Sequence, residues 1–293
     1  MIELDVHAHV VPVSDTRVVS QPGIAWDAAG NSLSVDGERI GLSDLFHPER
    51  LLEWMRLHTV RRALISIPPP LYRRQLGHEA ALVWALAIND GLAAIASASA
   101  GRLGALFHLP LEHPGLCHEL VERHAGQAEG FAVGAGGDAQ AMLSDSCFDR
   151  LWSALDRRRG FVFIHPSRCC DARLKPFYLE NLAGNPYETG IAAAHLVMAG
   201  VPARFPDIRF CLAHAGGVFP SICGRLEQGF ATRRPGVPQD VEWPRQAARR
   251  FYADGIAHDA AALRLAQEVF GEDHIMFGSD WPFPMGIREP LGS

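Results

Sequence analysis

Four short apolar runs in this chain each end on a histidine or an aspartate. LDVHAH opens the sequence, FVFIHP and FCLAHAGG follow, and IMFGSDWP lies near the end. A short apolar run bounded by turn residues reads as a buried strand, and a parallel α/β barrel gathers its chemistry at the carboxyl ends of its strands. The four runs bring His7, His9, His165, His214 and Asp280 to that position. His7 and His9 share one face of their strand, because strand side chains alternate. The chain has 14 histidines, so an isolated His-x-His is unremarkable. The recurrence at matching strand ends is what carries weight. Nitrogen donors with one carboxylate suit a borderline divalent ion such as zinc. Taken singly, each histidine has a plainer reading as a satisfied core residue, and Asp280 as a cap before the Trp281-Pro282 turn.

The same rhythm runs through the whole chain. Strands are expected over 3–6, 62–67, 103–109, 130–135, 160–164, 208–213, 250–255 and 274–278. Helical stretches fall over 48–58, after a cap at His47, and over 78–97, 116–125, 147–158, 186–203, 219–230 and 259–270. Strand–helix alternation at this spacing implies a parallel sheet. Eight strands predict a (β/α)8 TIM-like barrel, with a doubly wound open sheet as second choice. Residues 11–46 are polar and hold DAAGN and VDGE, which read as turns of a small β insertion over the barrel mouth. Thirteen residues follow Asp280 in the 293-residue chain, so the eighth helix is expected to be incomplete. Residues 1–293 read as a single domain.

Composition narrows the partners. At 48% hydrophobic, the chain can bury a large core, and a net charge of −6 disfavours nucleic acid as a partner. Cys117, Cys147, Cys169, Cys170, Cys211 and Cys223 form no CxxC pair. They read as reduced thiols of a cytoplasmic protein. The start, MIELDVHAH, has neither the basic nor the apolar segment of a signal peptide. The most apolar stretch, ALVWALAINDGLAAIASA, is interrupted by Asn89 and Asp90, so no membrane span is expected.

Together the motifs DVHAHVVP, DGERI, FIHPSR, LAHAGGVFP, GRLEQGF, RRFYADGIAHD and FGSDWPFP resemble the amidohydrolase superfamily. Within it they resemble the branch typified by 2-amino-3-carboxymuconate-6-semialdehyde decarboxylase. The resemblance covers nearly the whole chain. LAHAGGVFP and GSDWPFP are its specific motifs, whereas His-x-His alone is weak. It implies one Zn²⁺ per chain held by His7, His9, His165 and Asp280, with a water completing the shell. The binuclear branch carries a carboxylated Lys at the end of the fourth strand. Here that strand reads GFAVGAGG, so one metal is the better reading. The resemblance makes His214 the acid/base residue, and a histidine can take and return a proton near neutral pH. A fifth ligand or a structural histidine before the Gly-Gly turn are its alternatives.

Substrate anchors match the branch less well. Its carboxylate-binding Arg falls at Gly41 in this chain, and Arg39 lies two residues back on the same face of the insertion. Arg39 reads equally as a solvent-facing hairpin residue. The resemblance assigns a second anchor, Arg233 or Arg234, to a neighbouring subunit of a homodimer. The plain alternative is a pair of cations complementing a helix dipole. Trp281 and Phe283 read either as a stacking platform for a flat substrate or as core packing. The leading expectation is a zinc-dependent non-oxidative decarboxylase of an aromatic or conjugated, muconate semialdehyde-like carboxylic acid, serving aromatic compound catabolism. Its rivals are a metal-dependent hydrolase or hydratase of a lactone or dicarboxylate, and a non-catalytic scaffold. The expected partner is a small-molecule carboxylate, with no nucleic acid and no membrane.

Overall fold

The computed structural model describes residues 1–124, 126–136, 141–169 and 171–290. Cys170, and Ala125 at the end of an expected helix, lie outside them. Strand β1 (Asp5–His9) leads through the one-turn helix α1 (Thr16–Val19) into β2 (Ile24–Asp27), β3 (Ser32–Val35) and β4 (Glu38–Ile40). Helix and strand then alternate through α2 (Pro48–Leu57), β5 (Ala63–Ser66), α3 (His78–Ala98), β6 (Leu103–His108), α4 (Pro114–Arg123) and β7 (Gly130–Ala135). The second half runs α5 (Asp149–Arg157), β8 (Phe161–Pro166), α6 (Asn185–Met198), α7 (Val201–Arg204), β9 (Arg209–Leu212), α8 (Phe219–Ala231), α9 (Pro244–Ala248), β10 (Phe251–Asp254), α10 (Ala260–Phe270) and β11 (Ile275–Met276).

Eight strands form one sheet in the order β1-β5-β6-β7-β8-β9-β10-β11. Their ladders are parallel. Past β11 the chain pairs with β1: Val6 N–H donates to the Phe277 carbonyl at 2.9 Å and His9 N–H to the Trp281 carbonyl at 2.8 Å. Parallel strands alternating with helices and returning to the first strand make a (β/α)8 barrel. The expected insertion is present as the antiparallel sheet β2-β3-β4. Its second hairpin turns at Asp36-Gly37, with φ of 49° and 89°, and an Asp-Gly pair tolerates that left-handed geometry.

Packing divides the chain into two compact units. The first comprises Met1–Pro110, His124–Ala132 and Phe277–Ser293, and the second Leu111–Arg123 and Val133–Met276. Within the first, α3 lays Trp84, Ala85, Ile88 and Leu92 into the core. Arg73, nearly fully buried, donates to both carboxylate oxygens of Asp36, at 2.9 and 2.7 Å. That pair fastens the insertion to the segment after β5. Within the second, Trp152 meets Phe210 edge-on at 5.4 Å and Phe219 of α8 stacks on Phe270 of α10 at 5.9 Å. Each such buried aromatic contributes about 1.5–3 kcal/mol through area removed from water.

Several expectations need correction. Strand β1 covers 5–9 rather than 3–6, because His9 still pairs with Ser66 of β5. The two histidines therefore sit inside the strand. β11 has only two residues, and His274 lies in a 3-10 turn, its Nδ1–H donating to the Phe251 carbonyl at 2.9 Å. The helix expected over 186–203 breaks at Gly200, whose φ of 66° is left-handed, and a π-turn precedes it. His47 stands at the N-cap position before α2, as expected, but its side chain makes no capping bond; its ring bonds Glu49 and Asn31 instead. Helix α3 is long and apolar enough to cross a membrane by length and composition alone, a test that a core helix also passes. Its polar residue Asn89 is committed to the His108 backbone, a bond inside the protein core.

Candidate metal centre

His7 and His9 are fully buried, and Ala8 between them faces the other way. Their Nε2 atoms approach to 3.0 Å with the rings edge to face at 85°. Asp280 Oδ1 lies 3.2 Å from His7 Nε2 and 3.3 Å from His9 Nε2. Asp280 reaches that point from a left-handed backbone, φ 54°, which an aspartate tolerates better than most residues. Its N–H donates to the His7 carbonyl at 2.7 Å. His165, at the end of β8, offers the remaining donor. One ligand atom from each of His7, His9, His165 and Asp280 lies within 4.8 Å of every other.

These residues fit a divalent cation on three counts. Donor atoms about 2.1 Å from one ion lie roughly 3 to 3.5 Å apart, the spacing seen among His7, His9 and Asp280. The Nδ1 atoms of His9 and His165 face the Ser66 hydroxyl at 3.2 Å and the Pro166 carbonyl at 2.8 Å. A carbonyl at Nδ1 fixes the proton there on His165 and leaves the Nε2 lone pair for a metal. The donor set, three imidazoles and one carboxylate, is one that zinc and similar borderline ions take.

Behind the donors stands a bracket that sequence reading did not single out. Buried Asp5 accepts from the N–H groups of His7 and Ser279, each at 3.0 Å. The Ser279 hydroxyl donates to the His7 carbonyl at 3.2 Å. Burial pushes the Asp5 carboxyl up to about 6. The signal was present in LDVHAH and GSDWP as polar residues flanking the ligands, but their pairing spans 274 positions.

His214 lies two residues past β9, in a 3-10 turn with φ of 54°. Its ring centroid is 5.4 Å from that of His165. The turn is held by Asp254 of β10, whose Oδ1 accepts from Ala215 N–H at 3.0 Å. Gly217 follows at φ 59°, and a Cβ there would come within 2.0 Å of the Pro186 carbonyl. Phe283 meets the His9 ring edge-on at 5.4 Å, and Trp281 is buried, joined to Pro282 by a cis peptide. Arg39 is exposed on β4 opposite Ser34. Arg233 and Arg234 are exposed beyond α8, where Arg234 donates to the Thr232 carbonyl at 3.1 Å. Among the described residues, no contact joins these three arginines to the donor cluster.

A (β/α)8 barrel with imidazoles and a carboxylate gathered at its strand ends defines the class, a barrel enzyme with a candidate mononuclear metal centre. The chain belongs to the amidohydrolase family, whose sequence profile matches residues 4–291, and within it to the decarboxylase branch. It is 26% identical to 2-amino-3-carboxymuconate-6-semialdehyde decarboxylase of Dictyostelium discoideum, over 99% of this chain and 84% of that protein. It is 34% identical to 6-methylsalicylic acid decarboxylase of Penicillium expansum over 50% of this chain and 46% of that one. Among solved structures, 5-carboxyvanillate decarboxylase from Novosphingobium aromaticivorans, complexed with manganese and 4-hydroxy-3-methoxy-5-nitrobenzoic acid, superposes with a TM-score of 0.78. That match is 18% identical and covers 98% of this chain and 88% of the other.

Proposed function

We propose that this protein is a zinc-dependent, non-oxidative decarboxylase of an aromatic or conjugated carboxylic acid. The observation that carries the reading is the buried group of His7, His9, His165 and Asp280 on a decarboxylase-branch scaffold. Relatives named for decarboxylating a muconate semialdehyde and a methylsalicylic acid support the substrate class. Zinc rests on the three imidazoles; the manganese in the carboxyvanillate enzyme makes metal identity a matter for measurement.

When bound, the ion supplies Lewis acidity and positive charge. The protein's own residues do the rest. Asp5 and Ser279 fasten the backbone of His7 and tie it to the segment that carries Asp280. Phe283, set against His9, offers a ring edge and face to a flat substrate. Loss of CO₂ leaves the bonding electron pair on the substrate carbon, and that carbon must gain a proton. His214, beside His165, is the group that holds and returns it from a ring nitrogen. Arg39 and the Arg233–Arg234 pair are the cations available to a substrate carboxylate, the latter two from the neighbouring subunit of a homodimer.

The test is ¹³CO₂ release from carboxyl-labelled 2,6-dihydroxybenzoate, 6-methylsalicylate and 2-amino-3-carboxymuconate semialdehyde by zinc-loaded protein in D₂O. One CO₂ per deuteron gained at the substrate carbon supports the reading. Acid production with solvent oxygen entering the product, and no CO₂, would place the protein among hydrolases instead.

A further inference from the structure

At the carboxyl end of β6 two buried side chains present hydrogen-bonding atoms that no protein group satisfies. Both ring nitrogens of His108 and the hydroxyl of Tyr72 are buried without a partner among the described residues. His108 is 2% exposed and Tyr72 is 3% exposed. Their rings stack at 5.2 Å, inclined by 18°. Burying three such atoms unpaired is costly, and a core position with no use for them would carry phenylalanine or leucine.

The pair is held in place from outside. Asn89 of α3 bonds both backbone groups of His108, donating to its carbonyl at 3.1 Å and accepting from its N–H at 2.7 Å. Tyr72 follows the 3-10 turn Pro69–Leu71, which Trp84 pins by donating to the Leu71 carbonyl at 2.8 Å. The side chains are therefore fixed, as a recognition site requires.

Register connects the pair with the donor cluster. His9 pairs with Ser66, and the Ser66 hydroxyl bonds the His9 ring, so both lie on one face of the sheet. Ile65 pairs with Ala105, which puts Leu106 level with Ser66. His108, two residues on, points to that same face, one side-chain step closer to the carboxyl end.

We propose that His108 and Tyr72 form a specificity-determining pair that takes an uncharged polar substituent of the substrate, a ring hydroxyl or an aldehyde oxygen. The inference rests on the decarboxylase reading for the substrate class. Burial pushes His108 down to about 4 and the Tyr72 hydroxyl up, so both are neutral at physiological pH. A neutral imidazole brings one donor and one acceptor, and the phenol another of each. That set complements a hydroxyl or carbonyl and offers no charge to a carboxylate, which the cations and the metal serve better.

Binding of benzoate and of 2-, 3- and 4-hydroxybenzoate to the metal-loaded full chain tests the pair by calorimetry. Wild type should hold one hydroxybenzoate about tenfold or more tighter than benzoate, since a site built to hydrogen-bond a hydroxyl rejects the analogue lacking it. His108→Phe should abolish that preference while leaving benzoate affinity within about twofold. Tyr72→Phe, which removes one oxygen and keeps the packing, should reduce it, and His108→Asn should restore part of it. The inference is overturned if wild type shows no preference or no binding, or if the variants weaken all four ligands alike. CO₂ release from the same samples separates the two readings. A substituent preference without CO₂ sinks only the decarboxylase reading; CO₂ release with a preference unchanged in the variants sinks only this one.

Discussion

Asn89 closes both backbone groups of His108, with bonds of 3.1 and 2.7 Å from a helix into the end of a strand. The same residue interrupts the most apolar helix of the chain, and its amide is wholly buried. Asn89→Leu preserves apolar packing but leaves a buried N–H and a buried carbonyl unpaired. The expected loss is about 2–4 kcal/mol of unfolding free energy, read from urea denaturation. A loss under about 0.5 kcal/mol would mean that His108 finds other partners.

His108 also makes stability depend on pH. Its folded value, about 4, lies below the ordinary 6.5 because burial disfavours the imidazolium. Stability from this group is complete above about 6.5 and is lost as pH falls toward 4, where the unfolded chain binds the extra proton. Over that window the loss amounts to roughly 3 kcal/mol. His108→Phe should flatten the corresponding part of the stability profile, measured as urea midpoints between pH 7 and pH 4.

The ion pair of Asp36 with buried Arg73 gives a second acid-sensitive contact. Hydrogen bonding to the guanidinium holds the Asp36 carboxyl below its usual range. Its contribution is present above the unfolded value, near 4, and fades as pH falls through the lower folded value. Asp36→Asn should cost about 1–3 kcal/mol at pH 7, because Arg73 loses the opposite charge and one of its two acceptor oxygens while the amide oxygen can still accept. The gap between variant and wild type should narrow below pH 4. Limited proteolysis should find the 11–46 insertion cleaved sooner in the variant.

Gly217 permits the turn that carries His214. A methyl group there would meet the Pro186 carbonyl at 2.0 Å, on a backbone that is already left-handed. Gly217→Ala should cost about 1–3 kcal/mol. It should also lower kcat more than metal content, since the displaced residue, His214, is the proposed proton carrier and not one of the proposed ligands. Equal kcat in variant and wild type would separate His214 from the chemistry.

How much of this was legible in the sequence depended on locality. The strand ends bearing His165 and Asp280 were readable because short apolar runs stop there. The limits of β1 were misplaced because HAH looks polar, although both imidazoles lie inside a buried strand. The run LGALFHLP has the same form as FVFIHP, yet His108 was passed over. Nothing local distinguishes a ring stacked on Tyr72 from a core residue. The Asp5–Ser279 bracket and the Asp36–Arg73 pair escaped for the same reason: each joins residues brought together only by the folded chain. The two-residue β11 was overestimated because its neighbours bond β1 outside a regular ladder.

The most direct test of the account is metal content per chain, measured side by side for wild type, Asp280→Ala and His214→Asn after zinc loading and exhaustive dialysis. The account predicts about one zinc in wild type and in His214→Asn, and little in Asp280→Ala, which loses the only carboxylate among the four donors. Retention of zinc by Asp280→Ala, or its loss from His214→Asn, would contradict the assignment of the centre.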